Sequence, residues 1–298
     1  MPTIGNTTRI SQLTKMATQS MLPHSILLVG PEHIGKTHIG HVLAKEILQS
    51  KEENLETHPE FIFVQKAEDA HTLTIDDIRR VIEQQKHTAF NSSKRVIMIS
   101  GIHTASIQAA NALLKSIEEP SSNTHFILTA IHTQHTPQTI LSRCAVYHLA
   151  HASQVDMMPL VEDMTEEARV KKILTWAAGR PGLLKQLQNN DELHGQWYDE
   201  SRQLLHLLTS THDKRLAWVE DIIGKGAKAA KKDELYQRLD RTIVMLRALL
   251  FSHGLKKKTL AAQIVASLDH ARTVKEKLKR NIQPKGLFDS FVLSLPRL

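Results

Sequence analysis

"ILLVGPEHIGKTHIG", residues 26–40, runs from an apolar block through a glycine-bounded turn into helical periodicity. Gly30-Pro-Glu-His-Ile-Gly35-Lys36-Thr37 satisfies G-x-x-x-x-G-K-[ST] in the context that gives the pattern meaning, a strand before it and a helix after it. Gly30 and Gly35 let the backbone curl so that successive N–H groups and a helix N-terminus face phosphate oxygens. Lys36 supplies a cation to the β- and γ-phosphates, and Thr37 a hydroxyl to Mg2+. A glycine-rich strand–helix turn with no ligand is the competing reading.

About sixty residues later, "RVIMISGIHTAS" (95–106) occupies the place where a nucleotide-hydrolysing protein of this build carries an aspartate for the metal, often followed by a glutamate that orients water. Val96-Ile97-Met98-Ile99 is followed instead by Ser100 and Gly101. Serine can hydrogen-bond a magnesium-bound water but carries no negative charge, and glycine offers no base. Binding survives such a change; rapid hydrolysis does not.

Working outward, "SILLVG" (25–30), "EFIFVQ" (60–65), "RVIMIS" (95–100) and "HFILTA" (125–130) are short, nearly continuous apolar blocks, the pattern of strands buried on both faces of a parallel sheet. Helical stretches separate them. Ile39, Val42, Leu43 and Ile47 recur at helical spacing after Thr37, and "TIDDIRRVIEQQ" opens with Thr74 as N-cap ahead of Asp76 and Asp77. The expected fold is therefore a P-loop α/β domain, a parallel sheet with flanking helices, over residues 1–149. Beyond 150 the strand signal disappears. "MTEEARVKKILTWAAGRPGLLKQLQ" gives two helices broken at Gly179-Arg180-Pro181-Gly182, in a small helical unit at 150–200. An all-helical unit follows at 201–298. It contains a Gly/Lys-rich loop at 224–232 and a stripe of Leu235, Leu239, Ile243, Leu246 and Leu250 that packs on sister helices or on another chain.

The 298 residues, 41% hydrophobic and 23% charged, describe a soluble globular chain with no membrane span. The opening residues lack the apolar core of a secretory signal, which makes the cytoplasm the expected location. One cysteine, Cys144, excludes an internal disulfide and a multi-cysteine zinc site. It reads as a small packing residue rather than a nucleophile, because no triad accompanies it. The 18 histidines are scattered, and the pairs His132/His135 and His148/His151 have no third ligand at a metal-binding spacing. Glu118 and Glu119 are adjacent on a helix, so they diverge by about 100° and read as structural rather than as an acid/base pair. The net charge of +7 is uneven: residues 201–298 hold 20 Lys/Arg against 9 Asp/Glu, and residues 1–200 hold 18 against 22. A basic C-terminal region suits nucleic acid, an acidic partner, or simply a solvated helical surface.

Several stretches together resemble the AAA+ clamp-loader subunits of bacterial DNA polymerase III. They are "GNTTRISQLTKMATQSMLPHSILLVGPEHIGKT" at the start, "NALLKSIEEP" (111–120) with "LSRC" (141–144), and "NIQPKGLFDSFVLSL" (281–295). The resemblance implies an AAA+ domain, a helical lid and a helical collar that joins five subunits in a ring. It implies assembly with gamma/tau and delta subunits, a sliding clamp and primer-template DNA, with no membrane involved. ATP or ADP with Mg2+ is the implied cofactor. Zinc is not, because "LQSKEENLETHPEF" lacks the family's four-cysteine module. Arg143 in Ser142-Arg143-Cys144 corresponds to an arginine that reaches ATP on the neighbouring motor subunit, and a salt bridge at the interface is its other reading. Its planar, permanently charged fork suits developing phosphate charge. Arg180 resembles the lid's sensor-2 arginine, which reaches the chain's own nucleotide; otherwise it caps a helix or is solvated. The "TAIHT" stretch (129–133) departs from the family's sensor-1 pattern. Within the family, the stretch at 95–106 points to a non-hydrolysing member without intrinsic ATPase activity. An active gamma/tau-like motor and an independent DNA-binding protein are the alternatives.

Overall fold

A computed structural model describes residues 3–52, 54–67, 70, 72–86, 94–120, 123–224, 231–252, 258–280 and 282–297. The chain divides into two compact units: Met1–Asp163 with Gly179–Leu183, and Met164–Ala178 with Leu184–Leu298.

The first unit is a five-stranded parallel sheet. Its strands are β1 (Ser25–Val29), β2 (Phe61–Gln65), β3 (Arg95–Ser100), β4 (Thr124–Ala130) and β5 (Ala145–His148), in the spatial order β2-β3-β4-β1-β5. Leu27 of β1 lies opposite Leu128 on one side and Val146 on the other, and Phe63 of β2 lies opposite Met98 of β3. Side chains alternate between two cores. Ile26 and Leu28 join Ile10, Leu13, Ile39 and Leu43 from α1 (Thr7–Thr18) and α2 (Lys36–Leu48). Leu27 and Val29 join Ile78, Val81, Leu113 and Ile117 from α3 (Ile75–Lys86) and α4 (Ile107–Glu118). Helices on both faces are why the strands read as unbroken apolar runs.

Local signals set the helix starts. Thr74 and Asp77 exchange bonds at the head of α3: the Asp77 N–H donates to Thr74 Oγ1 (3.3 Å) and the Thr74 N–H to Asp77 Oδ2 (2.9 Å). Ser106 Oγ caps α4 by accepting the Ala109 N–H at 3.1 Å. A short helix α5 (Gln138–Leu141) precedes β5, and α6 (Gln154–Met157) follows it with a Ser153/Asp156 capping box. At the opposite end of the sheet from the glycine-bounded turn, the buried Arg95 Nε donates to Glu60 Oε2 at 2.7 Å. That bond ties the start of β3 to the residue before β2.

The second unit is helical among its described residues: α7 (Glu167–Ala177), α8 (Pro181–Asn189) from Leu184 onward, α9 (Asp191–Thr209), α10 (His212–Ile223), α11 (Lys232–Ser252), α12 (Lys258–Lys279) and α13 (Pro284–Ser294). Ala178, with φ +47°, and Gly179 end α7, and Pro181 opens α8 at the first-turn position that tolerates proline. Leu235, Leu239 and Leu246 of the α11 stripe are buried, as are Val244 and Met245, while Ile243 and Leu250 are only half-buried. Much of the expected loop at 224–232 lies outside the described residues. The Trp176 and Trp197 rings pack with centroids 5.9 Å apart. Glu200 takes Arg241 side-on, at 2.6 and 2.7 Å. No described helix is long and apolar enough to cross a membrane.

Candidate functional site

The strand order places β1 between β4 and β5, so the turn leaving β1 opens at the carboxyl ends of the strands, where open α/β sheets bind ligands. Backbone geometry makes that turn glycine-dependent at two points. A Cβ on Gly30 would stand 2.6 Å from the Leu149 carbonyl oxygen, and Gly35 has φ +92° with nothing within 4 Å of a would-be Cβ. The Gly30 N–H donates to the Ala130 carbonyl at 3.1 Å, pinning the turn to the end of β4. The bond from the Ile39 N–H to the Gly35 carbonyl (2.9 Å) belongs to the first turn of α2, so the N–H groups of Lys36 and Thr37 have no acceptor in their own helix.

Lys36 is folded back over the turn. Its Nζ donates to the Gly30 and Pro31 carbonyls at 2.7 and 2.6 Å. Burial pushes its ammonium down from 10.5 to about 8, against the pull of Glu32. His33 sits at φ +61°, and its carbonyl accepts the Gly182 N–H at 2.8 Å. Although part of His33 reaches solvent, desolvation of its ring holds the imidazole below the ordinary histidine range. Arg180 and Lys36 add to that effect, and Glu32 opposes it. The start of α8 thus lies on the loop, and Arg180 is brought beside it.

The cradle fits the phosphates of a nucleotide: helix N–H groups without an acceptor in their own helix, an open glycine and a cation whose hydrogen-bond acceptors are two neutral carbonyls. The metal side differs. Thr37 Oγ1 lies 3.5 Å from Ser100 Oγ at the end of β3, so two hydroxyls meet at the position where a carboxylate would hold Mg2+. Gly101, with φ +78°, donates its N–H to Thr129 Oγ1 at 3.0 Å. Thr129 is buried in β4, and its hydroxyl secures the turn after β3. Among the described residues no group of three or more His, Cys, Asp or Glu is placed to hold a metal ion.

Arg143 lies away from this cradle, just after α5. Its Nε and Nη2 donate to the two Glu118 oxygens at 3.1 and 3.4 Å, and its Nη1 to the Thr139 carbonyl (3.2 Å) and Ser142 Oγ (3.3 Å). The geometry brings Gly30, Gly35, Lys36, Thr37 and Arg180 together and leaves Arg143 at the surface, about a third exposed, at 32%. Cys144, packed against the sheet core, has its thiol pushed up to about 12 by burial, which leaves it protonated and unreactive at neutral pH.

Residues 5–153, half of the chain, match the family profile described as DNA polymerase III, delta subunit. The chain belongs to that family. The matched residues include the parallel sheet and both loops just described. Similar curated proteins carry two kinds of name. The delta' subunit of DNA polymerase III from Pseudomonas aeruginosa is 27% identical over 197 residues, which is 60% of this chain and 58% of that protein. The Escherichia coli delta' subunit is 28% identical over 160 residues, 53% of this chain and 46% of that protein. Subunit tau from Salmonella typhimurium is 25% identical over 194 residues, 59% of this chain and 30% of that protein. The matched region therefore spans between about a third and three fifths of these relatives, and the identities do not separate delta' from gamma/tau. A solved DNA polymerase III gamma subunit-related protein from Thermotoga maritima superposes with a TM-score of 0.50 at 14% identity, covering 95% of this chain and 97% of the other, a likeness of fold.

Two contacts in this chain are not visible in linear sequence. Glu118 is the partner of Arg143 across 25 positions, and Thr129 is the anchor of Gly101 across 28. The acidic doublet was a signal for the first, but only the packing of α4 on α5 shows which of the two glutamates is used.

Proposed function

We propose that this chain is the delta'-type, non-hydrolysing subunit of a clamp loader, and that it lends Arg143 to ATP held by a neighbouring motor subunit. The observation that carries the reading is the contrast between the two loops. β3 ends in Ser100-Gly101 where a hydrolytic site needs carboxylates, while Arg143 sits outward, remote from its own phosphate cradle. In this reading the chain joins gamma/tau and delta subunits in a ring that loads a sliding clamp on primed DNA. Residues 150–200 act as lid and 201–298 as collar. Lys36, Thr37 and the first N–H groups of α2 hold nucleotide phosphates, with Arg180 reaching the same ligand. A bound nucleotide with Mg2+ would supply charge that orders this loop; without a carboxylate to direct water, the chain's own residues bind and do not cleave.

The purified chain with Mg-ATP is expected to turn over negligibly in a coupled phosphate-release assay. Robust Mg-dependent hydrolysis, abolished by Lys36→Ala, would instead favour the gamma/tau-type motor, the reading that the tau name among the relatives supports.

Nucleotide affinity should also depend on pH. Lys36 titrates near 8 in the folded chain against 10.5 ordinarily, so the cost of burying its charge is fully present below pH 8 and is relieved as pH rises from about 8 towards 10.5. A polyphosphate stabilises the charged form, so binding takes up a proton above pH 8. Affinity for ADP measured by calorimetry is expected to weaken by roughly fivefold between pH 8 and 9, and to approach tenfold per pH unit above that. Lys36→Met should bind weakly with a flat profile. An equal dependence in both proteins would contradict this assignment.

A further inference from the structure

We propose that Glu118 is a built-in competitor for Arg143: its carboxylate fills the two-point edge of the guanidinium that a phosphate would take, so engaging phosphate means exchanging one anion for the other. The inference rests on the reading of Arg143 as a group donated to another molecule.

The hydrogen-bond pattern shows how fully the arginine is occupied. The Nε–Nη2 edge, the side-on fork that recognises carboxylate and phosphate alike, is closed by Glu118 Oε2 and Oε1 at 3.1 and 3.4 Å. Behind it, Nη1 is held by the Thr139 carbonyl and Ser142 Oγ at 3.2 and 3.3 Å. Of the five guanidinium N–H groups only one, on Nη2, is left without one of these acceptors. Arg143 is therefore held in place from the back by its own loop and covered at the front by a carboxylate.

Both halves of that arrangement have rigid supports. Glu118 is the last residue of α4, directly after Ile117, which is 3% exposed in the sheet core. Arg143 follows α5, whose Ile140 is fully buried, and Ser142 Oγ donates to the Thr139 carbonyl at 3.1 Å. The carboxylate itself is open to water, with its side chain 55% exposed. An ion pair so exposed is weak and screened. A polyphosphate, with more charge and more oxygens than one carboxylate, displaces it readily. Thr139 and Ser142 keep Nη1 fixed during the exchange, so the guanidinium need not move far. The consequence is a conditional cation: until a phosphate arrives, the charge of Arg143 is neutralised locally, and monovalent anions gain little from binding there.

The test uses the whole chain with 15N-labelled arginine, the Arg143 Nε–H signal being identified by its loss in Arg143→Lys. Pyrophosphate is the titrant. Glu118→Gln, which keeps the shape and removes the charge, is expected to tighten the pyrophosphate response of that signal at least threefold. Its unliganded signal should move towards that of a solvated arginine. Glu118→Asp, which withdraws the carboxylate by one methylene, is expected to fall between the two. Equal affinities and an unmoved signal in both variants overturn the proposal. In a reconstituted loader, Glu118→Gln is expected to keep or raise ATP turnover; a fall to the level of Arg143→Ala would mean that Glu118 orients the arginine, and overturns the competition. If Arg143→Ala leaves turnover unchanged while pyrophosphate still binds more tightly to Glu118→Gln, the donated-arginine reading fails and the competition stands.

Discussion

Arg143→Ala is expected to lower the DNA-stimulated ATP turnover of a reconstituted loader by at least tenfold, with the fold of the chain intact. The two halves of that expectation have different physical origins. In the isolated chain Arg143 makes a partly exposed pair with Glu118 and two bonds to its own loop, with its side chain 32% exposed. Exposed ion pairs contribute about 0–1 kcal/mol, so the melting temperature should scarcely move. Across a subunit seam, by contrast, an arginine that meets charge developing on a phosphoryl group is worth about 10³–10⁵ in rate, or roughly 4–7 kcal/mol of barrier. Arg143→Lys should not rescue the rate, because a point charge cannot reproduce two-point contact with phosphate oxygens. Turnover in the alanine assembly is the decisive readout, with subunit association measured alongside. Equal turnover with intact assembly would remove Arg143 from the chemistry.

The second large effect concerns stability. Arg215 of α10 is 1% exposed, and every acceptor found for its guanidinium is a backbone carbonyl. Nε donates to Leu207 (2.9 Å), Nη1 to Val292 (3.2 Å) and Leu295 (2.7 Å), and Nη2 to Leu208 (3.5 Å) and Pro296 (2.9 Å). These carbonyls belong to the last turn of α9 and to the end of α13 and the two residues beyond it. Helix C-termini leave carbonyls without intrahelical partners and carry partial negative charge. One cation thus closes two helix ends that would otherwise meet in a dry space. Arg215→Met keeps much of the apolar volume and withdraws the charged donors, leaving several carbonyls short of a partner at about 1–3 kcal/mol for each group fully stranded. An overall loss of about 3–5 kcal/mol in urea unfolding of the second unit is expected, comparable to breaking a buried charged contact. Lysine, with one ammonium in place of a fork, should restore little of it. A loss below about 1 kcal/mol would mean that water reaches these carbonyls when the guanidinium is gone.

How legible each feature was follows from the range of the interaction behind it. Four strands announced themselves as apolar runs: β1, β3 and β4 are covered on both faces and must be apolar at successive positions, as Ile26-Leu27-Leu28-Val29 is, whereas β2, expected to be buried likewise, is an edge strand whose Ile62, Phe63 and Val64 are only half-buried. The edge strand β5 was harder to see: Ala145, Val146 and Tyr147 are only half-buried and the run is four residues long. The phosphate cradle was readable because its glycines, Lys36 and Thr37 are neighbours in the chain, and the substitution of Ser100-Gly101 for carboxylates was readable because it directly follows the apolar run of β3, although Ser100 lies 63 positions from Thr37. Arg180 came from resemblance, since nothing local says that the start of α8 returns to His33. Arg215 was invisible. A single arginine in "THDKRLAWVE" looks like any solvated helix residue, and its acceptors lie 7–8 and 77–81 positions away. The α11 stripe was right in kind, but Val244 and Met245 share the burial, because more than one neighbouring helix packs against α11.

The central claim is that this chain does its part in phosphoryl chemistry next door rather than in its own cradle. The most direct measurement is a structure of the assembled loader with a non-hydrolysable ATP analogue on the motor subunits. The account predicts the Arg143 guanidinium within hydrogen-bonding distance of a neighbour's terminal phosphate, with Glu118 displaced from its Nε–Nη2 edge. An Arg143 still closed on Glu118 and facing solvent, with nucleotide bound next to it and untouched, would contradict it.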